Sequence, residues 1–498
     1  MTQLGPSPHR ADLPFRRIAL VLSVGGALGA YEVGVLRVLE TAGIRPAILA
    51  GVSVGAVNAV LWRANGFRTD PLERVWATLR ASSIGMRWIT LMACALGAFV
   101  ATLAGVQILL TLAGSPELSP GILFHRPGPV GSSVTASVLD VLAWLLVAVL
   151  GIVIIHGSRG AEDSLARLSR ARHPHWLHRG YGWLLALGTA AHVATWAVGI
   201  PWPHRFSASL LLVGALVWVA NRPGQTGDWT RRLFLRLLPE TGGRGLWGSH
   251  ARRRLIQRVV AEGDPGALVG AEVHLLISAC AIGSGQMGYF VNWPEPSATF
   301  RARIAASLGE VIPLRTPEEV IEAAVASSAI PVVFEPVRVG PREFVDGGVF
   351  ANQPLHAVLA DDADAIVVVL VSPSSGPPAS AREPNLLELA ARLLGIANWR
   401  DLQTELRGLP ADWGTGTPMA GGAARAEPPP GPARVCVVEP AGALPGGLYA
   451  FSSANAAELR RRGERDAWSA LAAAGWLAEA GPGRRGTAPA TAGTGSPA

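Results

Sequence analysis

Apolar positions along the chain fall into three patterns, and each predicts a different kind of element. Residues 18–22 are apolar without interruption, as a strand buried on both faces requires. From Gly29 to Ala42 the spacing changes: Val33, Leu36 and Leu39 fall near one face of a helix, which Gly43 is placed to stop. Residues 47–60, "AILAGVSVGAVNAV", then pass from a β-prone run into a helix rich in small residues. The order strand, glycine-rich turn, helix, strand, turn, helix predicts an α/β domain with a largely parallel sheet.

The second pattern is a series of long uncharged runs. Residues 88–114 carry no charge over more than the roughly 20 positions needed to cross a bilayer. The run 138–155 is nearly as apolar, with Asp140 close to its start, and 183–200 and 206–220 follow, separated by "PWPHR". Four transmembrane helices are therefore expected within an insert at 86–240, the last short enough to thin the bilayer around it. The third pattern resumes beyond the insert. Residues 273–278, 365–371 and 434–438 read as strands, and 379–406 as one or two helices covering the sheet. A Pro, Gly and Ala-rich stretch at 409–433 is expected to be a flexible loop, and 481–498 a disordered low-complexity tail. The soluble parts are thus 16–85 and 241–480.

Charge supports the even number of crossings. The linker between the second and third runs carries Arg159, Arg167, Arg170, Arg172 and Arg179, whereas the other two linkers carry Arg126 and Arg205 alone. With four spans, every arginine-rich stretch falls on one side, which the positive-inside rule makes cytoplasmic. The opening residues lack the apolar core of a signal peptide, so both flanking halves are expected to face the cytoplasm. The net charge is +7 and mean hydropathy +0.32, yet all the Lys/Arg positions are arginine and no basic block is interleaved with aromatics. That argues for compositional bias and against nucleic acid as a partner. The 3 cysteines show no paired spacing, so neither a disulfide framework nor a metal site is expected.

Candidate chemistry sits in three places. Gly51-Val52-Ser53-Val54-Gly55 fits G-x-S-x-G, a tight strand-to-helix turn that presents a serine nucleophile. By itself it is equally a glycine-rich turn. "SVGGALG", residues 23–29, lies where the first strand feeds a helix, and its exposed backbone N–H groups would bind an anion. Beside Ser53 this would be an oxyanion hole; alone it also fits a nucleotide loop, although the Lys-Ser/Thr ending of a P-loop is missing. Asp346-Gly347-Gly348 offers an aspartate at a strand end as a base for the serine, or simply a hairpin turn.

Taken in order, residues 23–29, 51–55, "ASSAIPVVFEPV" and Asp346 to Gly348 with Asn352 and Pro354 resemble the patatin-like phospholipases. The resemblance covers about residues 16–85 and 240–375 and continues more weakly through "YAFSSANAAELRRRGERDAWSAL". It implies a three-layer α/β/α domain, here interrupted by the insert, and hydrolysis of lipid acyl esters by a serine-aspartate dyad without metal or cofactor. Ser53 would be the nucleophile and Asp346 its base. The amides of Gly25, Gly26 and Ala27 would form the oxyanion hole, with Gly29, Gly51, Gly55, Gly347 and Gly348 permitting close approaches. The chain departs from the family pattern at Val24, where a glycine is usual, and at Leu28, where an arginine or lysine is usual. Membrane lipids are the expected substrate and the bilayer the expected setting. An acyltransferase, a decayed hydrolase and a channel built on the insert are the alternatives.

Overall fold

The computed structural model describes residues 13–87, 244–376, 386–410, 413 and 432–477, together with helical positions scattered through 96–112 and 141–154. The chain divides into two compact units, Met1–Ile84 with Ser249–Ala498, and Gly85–Gly248.

The first unit is built on a nine-stranded sheet. β1 (Ile18–Leu22) leads into α1 (Gly29–Thr41), β2 (Ile48–Val52), α2 (Val54–Ala64) and α3 (Asp70–Thr78). After the insert come α4 (His250–Glu262), β3 (His274–Ala281), β4 (Met287–Val291), α5 (Ala298–Ala306), β5 (Gly309–Pro313) and α6 (Pro317–Ser327). The remainder is β6 (Val337–Val339), β7 (Arg342–Asp346), α7 (Leu355–Ala360), β8 (Ala365–Val369), α8 (Leu386–Arg407), β9 (Val435–Val438) and α9 (Ser453–Ala473). The strands lie in the order β5-β4-β3-β2-β1-β8-β9, with β7 also on β3 and β6 on β7. The five strands from β3 to β9 in that order run parallel, and β3 meets β4 and β7 antiparallel.

Why the central strands read as unbroken apolar runs is now plain. Ala19, Val21, Ile48, Ala50, Ile366 and Val368 point into one core with Phe300, Ile304, Leu355, Val358, Leu402 and Leu406 from α5, α7 and α8. The opposite faces of the same strands are equally buried; α2 packs on β1 and β2, α6 on β3 and α9 on β9, with α1 held against α2 and α9. This is a three-layer α/β/α fold with a mostly parallel sheet. α1 and α9 approach backbone to backbone: a Cβ on Gly34 would lie 2.1 Å from Arg460 O, and one on Gly463 2.0 Å from Tyr31 O.

In the second unit a Cβ on Gly151 would lie 2.5 Å from Gly97 O and 2.8 Å from Ala101 N, so two helical stretches touch there through small residues. Among the described residues, however, no helix is long and apolar enough to cross a membrane. The transmembrane reading of the insert thus has no support from the described helices, because hydropathy registers apolar runs whether or not one continuous helix carries them. The runs at 183–200 and 206–220, most of 88–114 and part of 138–155 lie outside the described residues, as do most of 409–433 and all of 481–498.

Candidate active site

The glycines around Ser53 are there because the chain turns too tightly for side chains. A Cβ on Gly51 would lie 2.6 Å from Ala56 N, and one on Gly55 2.6 Å from Leu22 O. Between them Ser53 adopts φ 57 and ψ −125, a conformation that L residues rarely hold and that stores strain at a turn presenting its side chain. β2 ends one residue earlier and α2 begins one residue later.

Register along β3 brings the aspartate to this serine. Val52, the last residue of β2, pairs with Ser278, and Asp346, the last residue of β7, pairs with the next residue, Ala279. β7 therefore enters the slot beside β3 that β2 has just vacated, and the two strand ends meet. Ser53 Oγ donates to Asp346 Oδ2 at 2.6 Å, while Asp346 Oδ1 accepts the Gly348 N–H at 2.8 Å. Gly347 must be glycine because a Cβ would lie 2.6 Å from Ser278 O. Both side chains are buried at 4% exposure. Burial pushes the Asp346 carboxyl up to about 6, against the hydrogen bonds from Ser53 and Gly348 and the charge of Arg252, which all pull it down.

The glycine-rich turn lies at the end of the adjacent β1. Gly26 has φ 54, in the left-handed region, and a Cβ there would lie 2.5 Å from Leu448 O. The Ala27 N–H donates to Leu448 O at 2.8 Å, so of the three expected oxyanion donors this one is engaged. Among the described residues no acceptor takes the Gly25 or Gly26 N–H. A Cβ on Gly29 would lie 2.5 Å from Val54 Cγ2, which ties the start of α1 closely to the residue after Ser53. Tyr449, next to Leu448, is raised by burial and then by the charge of Asp346, so the loop that caps the turn also reaches toward the carboxylate.

Further residues hold this site, and of them only Ser327 stands in one of the motifs, "ASSAIPVVFEPV", without a role assigned to it there. Glu32 is fully buried beneath the glycine-rich turn; burial pushes it up to about 8, and Asn58 Nδ2 donates to it at 2.8 Å. Ser327, the last residue of α6, accepts the Ser53 N–H at 2.8 Å and donates to Ser278 O at 2.7 Å. Arg252 on α4 is buried nearby and donates to Ser328. Its position was detectable in principle, since Arg252, Ile256, Val259 and Val260 form one helical stripe, and an arginine on an apolar face is an anomaly. His356 takes no part: its Nε2 lies 2.9 Å from the Tyr289 hydroxyl and its Nδ1 2.7 Å from Glu405 Oε1.

A serine at a strained turn, hydrogen-bonded to a buried aspartate, thus lies at the ends of strands in the α/β/α sheet. The patatin-like phospholipase family model matches residues 20–359, and the chain belongs to that family, whose members are lipid acyl hydrolases. No curated protein matches it. Among solved structures VipD from Legionella pneumophila is similar, at 13% identity over 93% of this chain and 67% of that one, with a TM-score of 0.33.

Proposed function

We propose that this protein hydrolyses acyl esters of membrane lipids, with Ser53 as nucleophile and Asp346 as its base. The observation that carries the reading is the 2.6 Å hydrogen bond from Ser53 Oγ to Asp346 Oδ2 at a strained turn. Ser53 Oγ attacks the ester carbonyl carbon as its proton passes to Asp346 Oδ2. The oxygen that becomes negative is met by the free amides of Gly25 and Gly26. Collapse of the tetrahedral intermediate expels the alcohol, which leaves with the proton held by Asp346. Water then gives a proton to Asp346 and attacks the acyl-enzyme, and the acid departs as Ser53 recovers its hydrogen. A carboxyl at about 6 is ionised at neutral pH and still close enough to accept the serine proton transiently.

The insert is read as the part that beds the enzyme in the bilayer, with the catalytic unit on the cytoplasmic side. Supporting this are the uncharged runs, the arginine asymmetry, and the side chains of Leu109, Leu112, Leu146 and Val153, each more than half exposed. Lipid esters would then lie within reach at high local concentration.

The test is fluorophosphonate labelling and fluorogenic ester hydrolysis on detergent-purified protein, comparing wild type with Ser53→Ala and Asp346→Asn. Labelling and turnover in wild type and loss of turnover in both variants is the expected result. Folded wild type that neither labels nor turns over any ester length, with or without added lipid, would overturn the assignment.

A further inference from the structure

Three consecutive residues at the end of α6 hold both members of the reacting pair. Ser327 Oγ accepts the Ser53 N–H at 2.8 Å, and Ala329 O accepts the Asp346 N–H at 2.9 Å. Between them Ser328 is gripped from outside the turn: Arg252 Nη1 donates to its carbonyl oxygen, and to its Oγ at 3.1 Å. The guanidinium also lies over the Phe334 ring, 3.7 Å from its centroid. We infer that Arg252 is a positioning residue for the Ser53–Asp346 pair, clamping at Ser328 the turn from which both are hung. The inference rests on the reading of that pair as the reacting groups.

The cation's unspent charge gives it a second effect. Arg252 is 5% exposed, and among the described residues no carboxylate lies within ion-pair distance of it, while its Nε and Nη2 have no hydrogen-bond partner. A buried charge left in that condition costs free energy unless a more distant opposite charge offsets it. The carboxylates whose field it feels are Asp346 first and Glu335 second, with Arg253 opposing them. Glu335 is already held at the head of α4 by the Ser249 N–H at 2.8 Å and the Ser249 hydroxyl at 3.0 Å. Around Asp346 stand the Ser53 hydroxyl, the Gly348 N–H, Arg252 from α4 and Tyr449 from the capping loop. Arg252 is the cation in that set, so its removal leaves the dyad carboxylate harder to ionise.

Mechanical and electrostatic roles separate in two variants. Arg252→Lys keeps the charge and loses the planar fork; Arg252→Met keeps the apolar stem and loses both. With a soluble ester, Arg252→Met is expected to lower kcat on the order of 10- to 100-fold with little change in KM, as a small misplacement of reacting groups does. The acid midpoint of its kcat/KM profile is expected to rise, because the cation that favours the ionised carboxylate is gone. Arg252→Lys is expected to lower kcat while leaving that midpoint in place. Wild type is labelled at Ser53 and its midpoint measured on the same preparation, so failure of the dyad reading appears in wild type and failure of the Arg252 role only in the variants. An Arg252→Met protein with a wild-type melt, kcat and acid midpoint overturns the inference. If that variant does not melt cooperatively, Arg252→Lys decides: lower kcat at an unshifted midpoint supports the role, and wild-type kcat removes it.

Discussion

Replacing Asp346 by asparagine is expected to abolish turnover and, at neutral pH, to make the fold more stable. Asp346 is 4% exposed, and burial lifts its carboxyl from 3.8 to about 6 despite two hydrogen bonds and the charge of Arg252. Since the folded-state value lies above the unfolded one, the folded protein holds this proton more tightly. The group's contribution to stability is fully present below about 3.8 and is lost as pH rises through about 6. At about 1.4 kcal/mol per unit of pKa, the ionised carboxylate costs the fold about 3 kcal/mol at pH 7. Asparagine retains an oxygen for the Ser53 hydroxyl but places an NH2 group where Gly348 N–H needs an acceptor, which takes back about 1 kcal/mol. Urea unfolding of wild type and variant in one detergent, at intervals from pH 4 to pH 8, reads the balance. The difference should widen in favour of asparagine by about 2 to 3 kcal/mol between pH 4 and pH 7. A difference independent of pH, or an asparagine variant that is the less stable at pH 7, would refute burial of a charge as the origin of the raised carboxyl.

Two further substitutions test the supports of the site. Ser327→Ala removes the acceptor of the Ser53 N–H and the donor to Ser278 O, and is expected to cost about 1 to 3 kcal/mol in urea unfolding with kcat falling more than KM rises. Unchanged unfolding and unchanged kcat together would remove Ser327 from the support of the turn. Gly463→Ala forces a methyl to within 2.0 Å of Tyr31 O, where backbone has to move. A loss of about 1 to 3 kcal/mol or more is expected, with catalysis per folded molecule intact, and a neutral result would show that α1 and α9 slide apart freely.

How far the sequence reveals this arrangement depends on whether a residue acts through its neighbours in the chain or through the fold. The elbow is local: Gly51 and Gly55 are required by clashes within residues 51–56 and with the end of β1, so a five-residue pattern suffices to find Ser53. Asp346 is different. Its own surroundings suggest a hairpin turn, but the β6–β7 turn lies at Gly340, and Asp346 instead closes β7 and heads a single 3-10 turn. Only the combination with the other motifs pointed to it. Arg252, Ser327 and Glu32 owe their importance to contacts made across the sheet or between helices: Ser327 lies in the stretch "ASSAIPVVFEPV" without a role being legible there, and of the other two only Arg252 is marked, by the buried stripe that it interrupts. The Ala27 amide is a case of the opposite kind: the turn is where the pattern put it, and a carbonyl from a distant loop occupies the donor. The compact units divide at Ile84 and Ser249, and the apolar runs between them did not translate into a membrane-length helix among the described residues.

The strand order carries a consequence for synthesis. β1 and β2 pair with each other and precede their outer partners in the chain: the other edge of β2 is satisfied by β3, and the other edge of β1 by β8. Everything between Val52 and His274 is translated before β2 has its partner. At about 5 to 20 residues per second that interval is on the order of 10 to 45 s, during which a short apolar ribbon with two open edges waits beside the emerging insert. Holding such edges from one another until the second half arrives is a task for a chaperone, and the yield of native protein should depend on how soon one meets the nascent chain.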